Sequence, residues 1–173
     1  MKIDRPESDE YAPFYAGYVG RVTEPDILSV LESQIGEWKK LAESIPPDKE
    51  GFRYAPDKWT VRQLFGHLVD AERFFGHRAF CVSRGDETPL PGFDENLYVS
   101  RSGHEGRKLS EHVQDLSLLR EANVRMMQAL DGSKWALRGT ANNNPVSVRA
   151  LAYVMAGHIR HHLAVLQERY SIG

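Results

Sequence analysis

Two histidines, His158 and His162, stand four positions apart near the end of the chain, in a segment with strong helical character. Four residues span just over one helical turn, so both imidazoles project from one face of the helix. That face is otherwise apolar and carries Val148, Leu151, Met155 and Val165. Because a buried polar group costs free energy unless it has a partner, two stacked imidazoles in an apolar seam predict a shared metal ion.

A catalytic metal site needs at least three protein ligands, and His67 is the best candidate for the third. It lies on the apolar face of an earlier helical pattern, at a depth comparable to that of His158. The other four histidines fit less well. Rotation about the helix places His77 on a different face, and His104 lies in a loop. His112 lies near a helix end, and His161 is adjacent to His162 and cannot point inward with it. Two alternatives stay open: His67 is a hydrogen-bonded core residue, or the spacing of the pair arises by chance on a surface.

The surrounding residues narrow the kind of metal site. The H-E-x-x-H pattern of zinc proteases is absent, and no histidine has a glutamate three residues before it, as in di-iron carboxylate bundles. A three-histidine site with an open position for water or a substrate group is left. An ion there could lower the pKa of bound water to about 7 or hold a thiolate. We expect a divalent metal ion, zinc or nickel first, with iron or manganese as further options.

Two carboxylates follow the third histidine by about one turn, at Asp70 and Glu72. Either could orient a ligand or move a proton. The alternative for both is a surface ion pair with Arg73 or Arg78, which we favour for Glu72. Asn123, set in a later apolar seam, either faces the same cavity or caps a buried backbone group.

Four long amphipathic patterns must position these side chains. They cover residues 23–44, 60–84, 110–130 and 147–170. Their similar lengths and heptad-like seams predict an all-α fold, a four-helix bundle with long connecting loops, built as a single domain over residues 1–173. No strand pattern of comparable strength competes. We expect a short extra helical turn at 94–100 and an aromatic-rich segment, 1–22, that wraps the bundle surface.

Composition limits the partners. With 41% hydrophobic and 27% charged residues and a net charge of -2, the chain is typical of a soluble globular protein. It has no basic block for nucleic acid or a membrane surface, no apolar run near the roughly 18 residues of a membrane span, and no signal peptide. A single cysteine, Cys81, excludes a disulfide framework. We expect a cytoplasmic protein with a small-molecule substrate and no nucleic-acid or membrane partner.

Several segments resemble the DinB-like family. Residues 54–68, YAPDKWTVRQLFGHL, resemble the Lys-Trp-Ser/Thr segment that leads into that family's metal histidine. Residues 157–162 resemble its last-helix H-x-x-x-H, and residues 91–94 and 146–151 resemble its connecting segments. The resemblance extends from about residue 11 to residue 170.

The resemblance implies a four-helix bundle of unusual connectivity, a divalent metal on His67, His158 and His162, and frequent homodimers. Members include transferases that activate low-molecular-weight thiols, thiol-dependent isomerases and metal-dependent hydrolases, and stress-inducibility gave the family its name. Our hypothesis is a metal-dependent enzyme that activates such a thiol, or water, for transfer to or hydrolysis of a small electrophile. The alternatives are a non-enzymatic metal- or ligand-binding dimer in a stress response, and a purely structural role for the histidines.

Overall fold

The computed structural model describes residues 3–172, which form six α-helices and one two-stranded sheet. Four of the helices are long and confirm the predicted all-α bundle; they are α2 (Ile27–Glu43), α3 (Val61–Ser83), α5 (Leu109–Gln128) and α6 (Val148–Tyr170). Two are short, α1 (Ala16–Gly20) and α4 (Glu95–Ser102). Helix α4 corresponds to the extra turn predicted at 94–100. Within the described residues, every helix falls short of the length or hydropathy that a membrane span requires.

The two helices that carry the histidines begin where their capping residues predict. Thr60 accepts a hydrogen bond from the backbone of Gln63, and the Gln63 side chain accepts one from the backbone of Thr60, so a complete capping box opens α3. Ser147 accepts from the backbone of Ala150 and opens α6.

The other two predicted starts were wrong by a few residues. Helix α2 is capped by Asp26, whose carboxylate accepts from the backbone of Leu28 and Ser29, so Thr23 lies outside the helix. A carboxylate at a helix N-terminus also interacts favourably with the helix dipole, which explains why Asp26 takes the cap. Helix α5 begins at Leu109, one residue before the expected position.

The long helices pack in an order different from their order along the chain. Both α2 and α3 make extensive contact with α5 and with α6. Consecutive helices α2 and α3 therefore lie diagonally across the bundle, as do α5 and α6. The long connections after α2 and α5 are needed to cross the bundle.

The core consists of two apolar clusters that meet at the level of the histidines. One cluster contains Phe75, Met155 and Ala156, and the other contains Leu64 and Ile159. Along α6 the boundary between them falls between residues 156 and 159, where His158 lies. The polar residues of the bundle interior thus interrupt a core that would otherwise be continuous.

A β-hairpin joins α5 to α6 and was not predicted. Strand β1 (Arg138–Ala141) pairs antiparallel with β2 (Asn144–Ser147). The turn residues Asn142 and Asn143 both have positive φ, 49° and 60°, as a two-residue type I′ turn requires. Asparagine tolerates this conformation, so the Asn142-Asn143 pair is the sequence signal for this turn.

The N-terminal segment packs on the bundle, as expected. A 3-10 turn (Ser8–Glu10), a second one (Pro13–Tyr15) and α1 follow each other, and α1 lies against α6. Glu10 anchors the first turn, because its buried carboxylate accepts hydrogen bonds from Ser147 and Arg149 of the α6 start. This places aromatic residues of the segment above the histidine level.

Candidate metal centre

The three histidines singled out in the sequence come together. Nε2 of His67, on α3, lies 3.0 Å from Nε2 of His158, which lies 3.1 Å from Nε2 of His162, one turn later on α6. The ligand atoms of all three rings lie within 4.8 Å of one another. His67 and His158 are buried, with exposed fractions of 3% and 5%, and His162 is partly buried.

Hydrogen bonding alone leaves this arrangement incompletely satisfied. Nε2 of a neutral imidazole carries either a hydrogen or a lone pair. Nε2 of His158 faces two other Nε2 atoms, so a hydrogen bond to one leaves the second contact unsatisfied. Two imidazole nitrogens that bind one ion at about 2.0–2.1 Å lie roughly 2.8–3.4 Å apart for angles between 90° and tetrahedral. The two Nε2 separations at His158, 3.0 Å to His67 and 3.1 Å to His162, fit a shared cation.

Burial keeps the three rings in the form that binds metals. Removal from water lowers the pKa of His67 to about 4. The same cause lowers the pKa of His158 and of His162 well below the ordinary value for histidine. At neutral pH all three rings are therefore uncharged and each can direct a lone pair at a cation.

The two neighbouring carboxylates had different outcomes. Asp70 forms the ion pair with Arg73 that was its alternative role, at 3.4 Å, and its Oδ2 lies 2.8 Å from Nε2 of His104, a histidine outside the cluster. Nδ1 of His67 is buried and has no hydrogen-bond partner among residues 3–172.

The ion pair predicted for Glu72 was wrong. Glu72 is buried rather than at the surface. Each of its two carboxylate oxygens accepts a hydrogen bond of 2.8 Å from Arg120, a buried residue of α5.

Asn123 belongs to that second polar cluster. Its side-chain amide donates to Oε1 of Glu72 at 2.9 Å and weakly to the backbone oxygen of Glu72 at 3.4 Å. Asn123 is not among the residues that line the cavity, and its contact with the backbone oxygen of Glu72 agrees with the capping interpretation, whereas its shorter hydrogen bond to the carboxylate was not predicted.

None of the remaining histidines joins the cluster. His104, expected in an open loop, is buried against α3, where a Cβ on Gly66 would lie only 2.2 Å from its ring. His112 lies outside the cluster, and its Nε2 lies 3.0 Å from the backbone oxygen of His104. The buried positions of His104 and His112 depend on packing between segments that are distant in the chain.

A cavity of about 780 Å³ opens above the cluster, a volume in the usual range for small-molecule sites. Its floor is formed by the three histidines. The indole of Trp59 lies over the ring of His67, with ring centres 4.7 Å apart, and Tyr18 meets His158 edge-on at 5.4 Å. Trp59 also lines the cavity, as do several residues that were not predicted from the sequence, among them Tyr15, Tyr18, Asn142 and Asn144.

A glycine allows one wall of this cavity to form. A Cβ added to Gly157 would lie 1.9 Å from the backbone oxygen of Tyr18. Because the obstacle is backbone, no rotation of a side chain could relieve the contact. Gly157 therefore lets α1 rest directly on α6, next to His158.

Comparison with known families agrees with this architecture. The model of the DinB superfamily matches residues 31–166, most of the chain. The chain belongs to the DinB superfamily. No curated protein sequence matches this member of the superfamily.

Two solved structures share its fold. YfiT from Bacillus subtilis, a probable metal-dependent hydrolase with an unusual four-helix bundle topology, superposes with a TM-score of 0.76 at 19% identity and 95% coverage of both chains. The mycothiol-dependent maleylpyruvate isomerase superposes with a TM-score of 0.63 at 12% identity. That match covers 79% of this DinB-superfamily chain and 58% of the isomerase. At such identities the likeness shows the fold.

Proposed function

We propose that this DinB-superfamily protein binds one divalent metal ion through Nε2 of His67, His158 and His162. The observation that carries the proposal is the mutual approach of three uncharged imidazole nitrogens at the floor of a cavity. Zinc or nickel is our first choice, since imidazole ligands suit both, and iron or manganese follows.

A bound divalent ion would supply Lewis-acid activation of a thiol or of water. The protein's own residues supply position and environment. Trp59 and Tyr18 restrict the rings of His67 and His158 by packing, and burial keeps those rings uncharged. No carboxylate within residues 3–172 joins the three histidines, so an exchangeable ligand has a place beside them.

The activity we propose is transfer of a low-molecular-weight thiol to a small electrophile, or hydrolysis of that electrophile. The size of the cavity supports a small-molecule substrate. Support also comes from the two structural relatives, of which one is a probable metal-dependent hydrolase and the other a thiol-dependent isomerase.

The test is to purify the protein without a histidine tag, measure its metal content, load zinc or nickel, and screen thiols with electrophiles and esters. We expect turnover that depends on the metal and is lost in His158→Ala. His77→Ala serves as the control, because His77 is exposed on α3 and outside the cluster. Absence of metal-dependent turnover with every thiol and ester would argue for the alternative, a non-enzymatic metal-binding protein.

Further expectations stay predictions: a homodimer, a cytoplasmic location, a role in stress response and a single domain over residues 1–173. Sedimentation velocity over a range of protein concentrations tests the first. A single species at the monomer mass throughout would contradict it.

A further inference from the structure

Arg78 is a buried cation without a counter-charge. Its exposed fraction is 2%, yet it forms no ion pair with any carboxylate in the described part of the chain. Burying an unpaired charge is strongly unfavourable, and buried arginines are normally paired. The position therefore calls for an explanation beyond packing.

The contacts of Arg78 use only part of its hydrogen-bonding capacity. Nη2 donates to the backbone oxygen of Pro91 at 2.6 Å, Nη1 donates to the hydroxyl of Tyr15 at 3.3 Å, and the guanidinium lies over the ring of Phe74. Nε is buried and has no partner within residues 3–172. A guanidinium has five N–H donors, so both charge and donors are left over.

Arg78 lines the same cavity as the histidines. It follows His67 by eleven residues on α3, which is close to three full turns, so both side chains leave the same face about 16 Å apart along the axis. Both side chains lean toward the N-terminus of the helix, and the longer arginine side chain can reach further in that direction than the imidazole of His67. Phe75 lies between them and also lines the cavity.

We propose that Arg78 binds a carboxylate of the small molecule whose reacting group meets the histidine cluster. The planar guanidinium matches a carboxylate in shape and charge. Asp57, Lys58 and Glu95 also line the cavity, so its charged side chains other than Arg78 carry a net negative charge, which favours a singly charged carboxylate over a dianionic phosphate. The contact between the reacting group and the histidine cluster rests on the proposed function. Binding of the carboxylate at Arg78 does not need the metal.

A purely structural role is the competing explanation, because Arg78 also ties the segments of Tyr15 and Pro91 to α3. Such a role affects stability but not the choice between an acid and an alcohol of equal length. The discriminating measurement is therefore the preference of the protein for carboxylates.

The experiment uses two matched sets of probes. Straight-chain carboxylic acids from propanoate to octanoate are compared with the corresponding alcohols on metal-free protein, by calorimetry or ligand-observed NMR. Mercaptohexanoate and mercaptohexanol are compared on cobalt-loaded protein, where a sulfur-to-cobalt absorption band reports thiolate binding.

We expect the acid that best spans the cavity to bind about tenfold more tightly than its alcohol, since hydrogen bonds to charged groups are strong. Arg78→Met should abolish the preference, and Arg78→Lys should keep part of it. Arg84→Met, which removes an exposed arginine at the end of the same helix, should leave it unchanged. If Arg78→Met does not fold, the wild-type comparison and Arg78→Lys carry the test.

Equal affinity for acids and alcohols, no binding of any acid, or a preference that survives in a folded Arg78→Met would each overturn the role of Arg78. The cobalt spectra separate this proposal from the proposed function. Thiols that bind cobalt equally well with or without a carboxylate would overturn Arg78 alone. A carboxylate preference without a sulfur-to-cobalt band would overturn thiolate binding and support Arg78.

Discussion

Arg120 and His158 are both buried in the interior of the bundle, but their surroundings differ. The guanidinium of Arg120 donates two hydrogen bonds to Glu72, one to the Gln34 side chain and a weaker one to the backbone oxygen of Leu31. His158 instead faces two nitrogens like its own. The Arg120 cluster is closed within the protein, whereas the histidine cluster opens on a cavity.

The difference separates a polar cluster that is complete within the protein from one that is not. Charges inside a protein are tolerated when every donor and acceptor is matched. The Arg120 cluster meets this condition with residues from α2, α3 and α5, so it needs no ligand. The histidine cluster and Arg78 do not meet it with protein groups, and both line the same cavity. Three buried groups without a partner among residues 3–172, on His67, Arg78 and His162, line the cavity, whereas three others, on His104, His112 and Trp135, lie elsewhere. A missing partner together with a position on the cavity therefore marks the candidate site.

Breaking the closed cluster should have the largest effect on stability. Arg120→Met leaves the Glu72 carboxylate buried without its counter-charge, so we expect a loss of about 3–5 kcal/mol in the free energy of unfolding. Urea denaturation followed by circular dichroism measures it. The double variant Arg120→Met with Glu72→Met should recover a substantial part, because no buried charge is then unpaired. Equal instability of the single and double variants would contradict the assignment.

The ion pair of Glu10 with Arg149 should make the free energy of unfolding depend on pH. Burial is the largest single contribution to the pKa of Glu10 and acts to raise it above the ordinary 4.5. Hydrogen bonds from Arg149 and Ser147 and the further favourable contacts of the carboxylate together outweigh burial and lower this pKa to about 2. The carboxylate therefore contributes about 3 kcal/mol above pH 4.5, and this is lost as the pH falls toward 2.

Urea denaturation between pH 2 and pH 6 checks this dependence. Glu10→Gln should be less stable than the wild type at pH 6 and should show a shallower decline on acidification. The same decline in both proteins would assign the effect to other carboxylates.

The cavity wall should be sensitive to one methyl group. In Gly157→Ala the new Cβ would meet backbone of Tyr18, so α1 must shift away from α6, with a loss of about 1–3 kcal/mol. Thermal melts measure the change. Gly36→Ala is the matched control, because Gly36 is helical with open space around it, and we expect a gain of about 0.5–1 kcal/mol there. Destabilisation of similar size at both positions would contradict the close approach.

Removing a ring from the histidine cluster should have the smallest effect on the fold. His158→Ala removes a buried ring whose Nε2 faces two nitrogens of its own kind. Because the loss of packing is offset by removal of an imperfectly matched polar group, we expect metal-free stability to change by less than about 1 kcal/mol. Metal binding, measured by calorimetry with zinc, should be lost. Unfolding of the metal-free variant would show that His158 is a structural residue like Arg120.

Local residue patterns predicted the helices well because helix formation depends on near neighbours. The capping residues Thr60 and Ser147 marked the starts of α3 and α6 correctly. The pairing of Glu72 was predicted wrongly because its partner, Arg120, lies 48 residues away. Nothing in the periodicity of α3 indicates which helix faces Glu72.

The sequence by itself determined the helical fold class and which histidines share a face, because both follow from the 3.6-residue period of the helix. It also predicted that His67 joins His158 and His162. Only the tertiary structure decided which buried polar groups are matched and which are not. That outcome depends on the diagonal order of the helices and on close approaches such as that at Gly157, which are set by contacts between segments far apart in the chain.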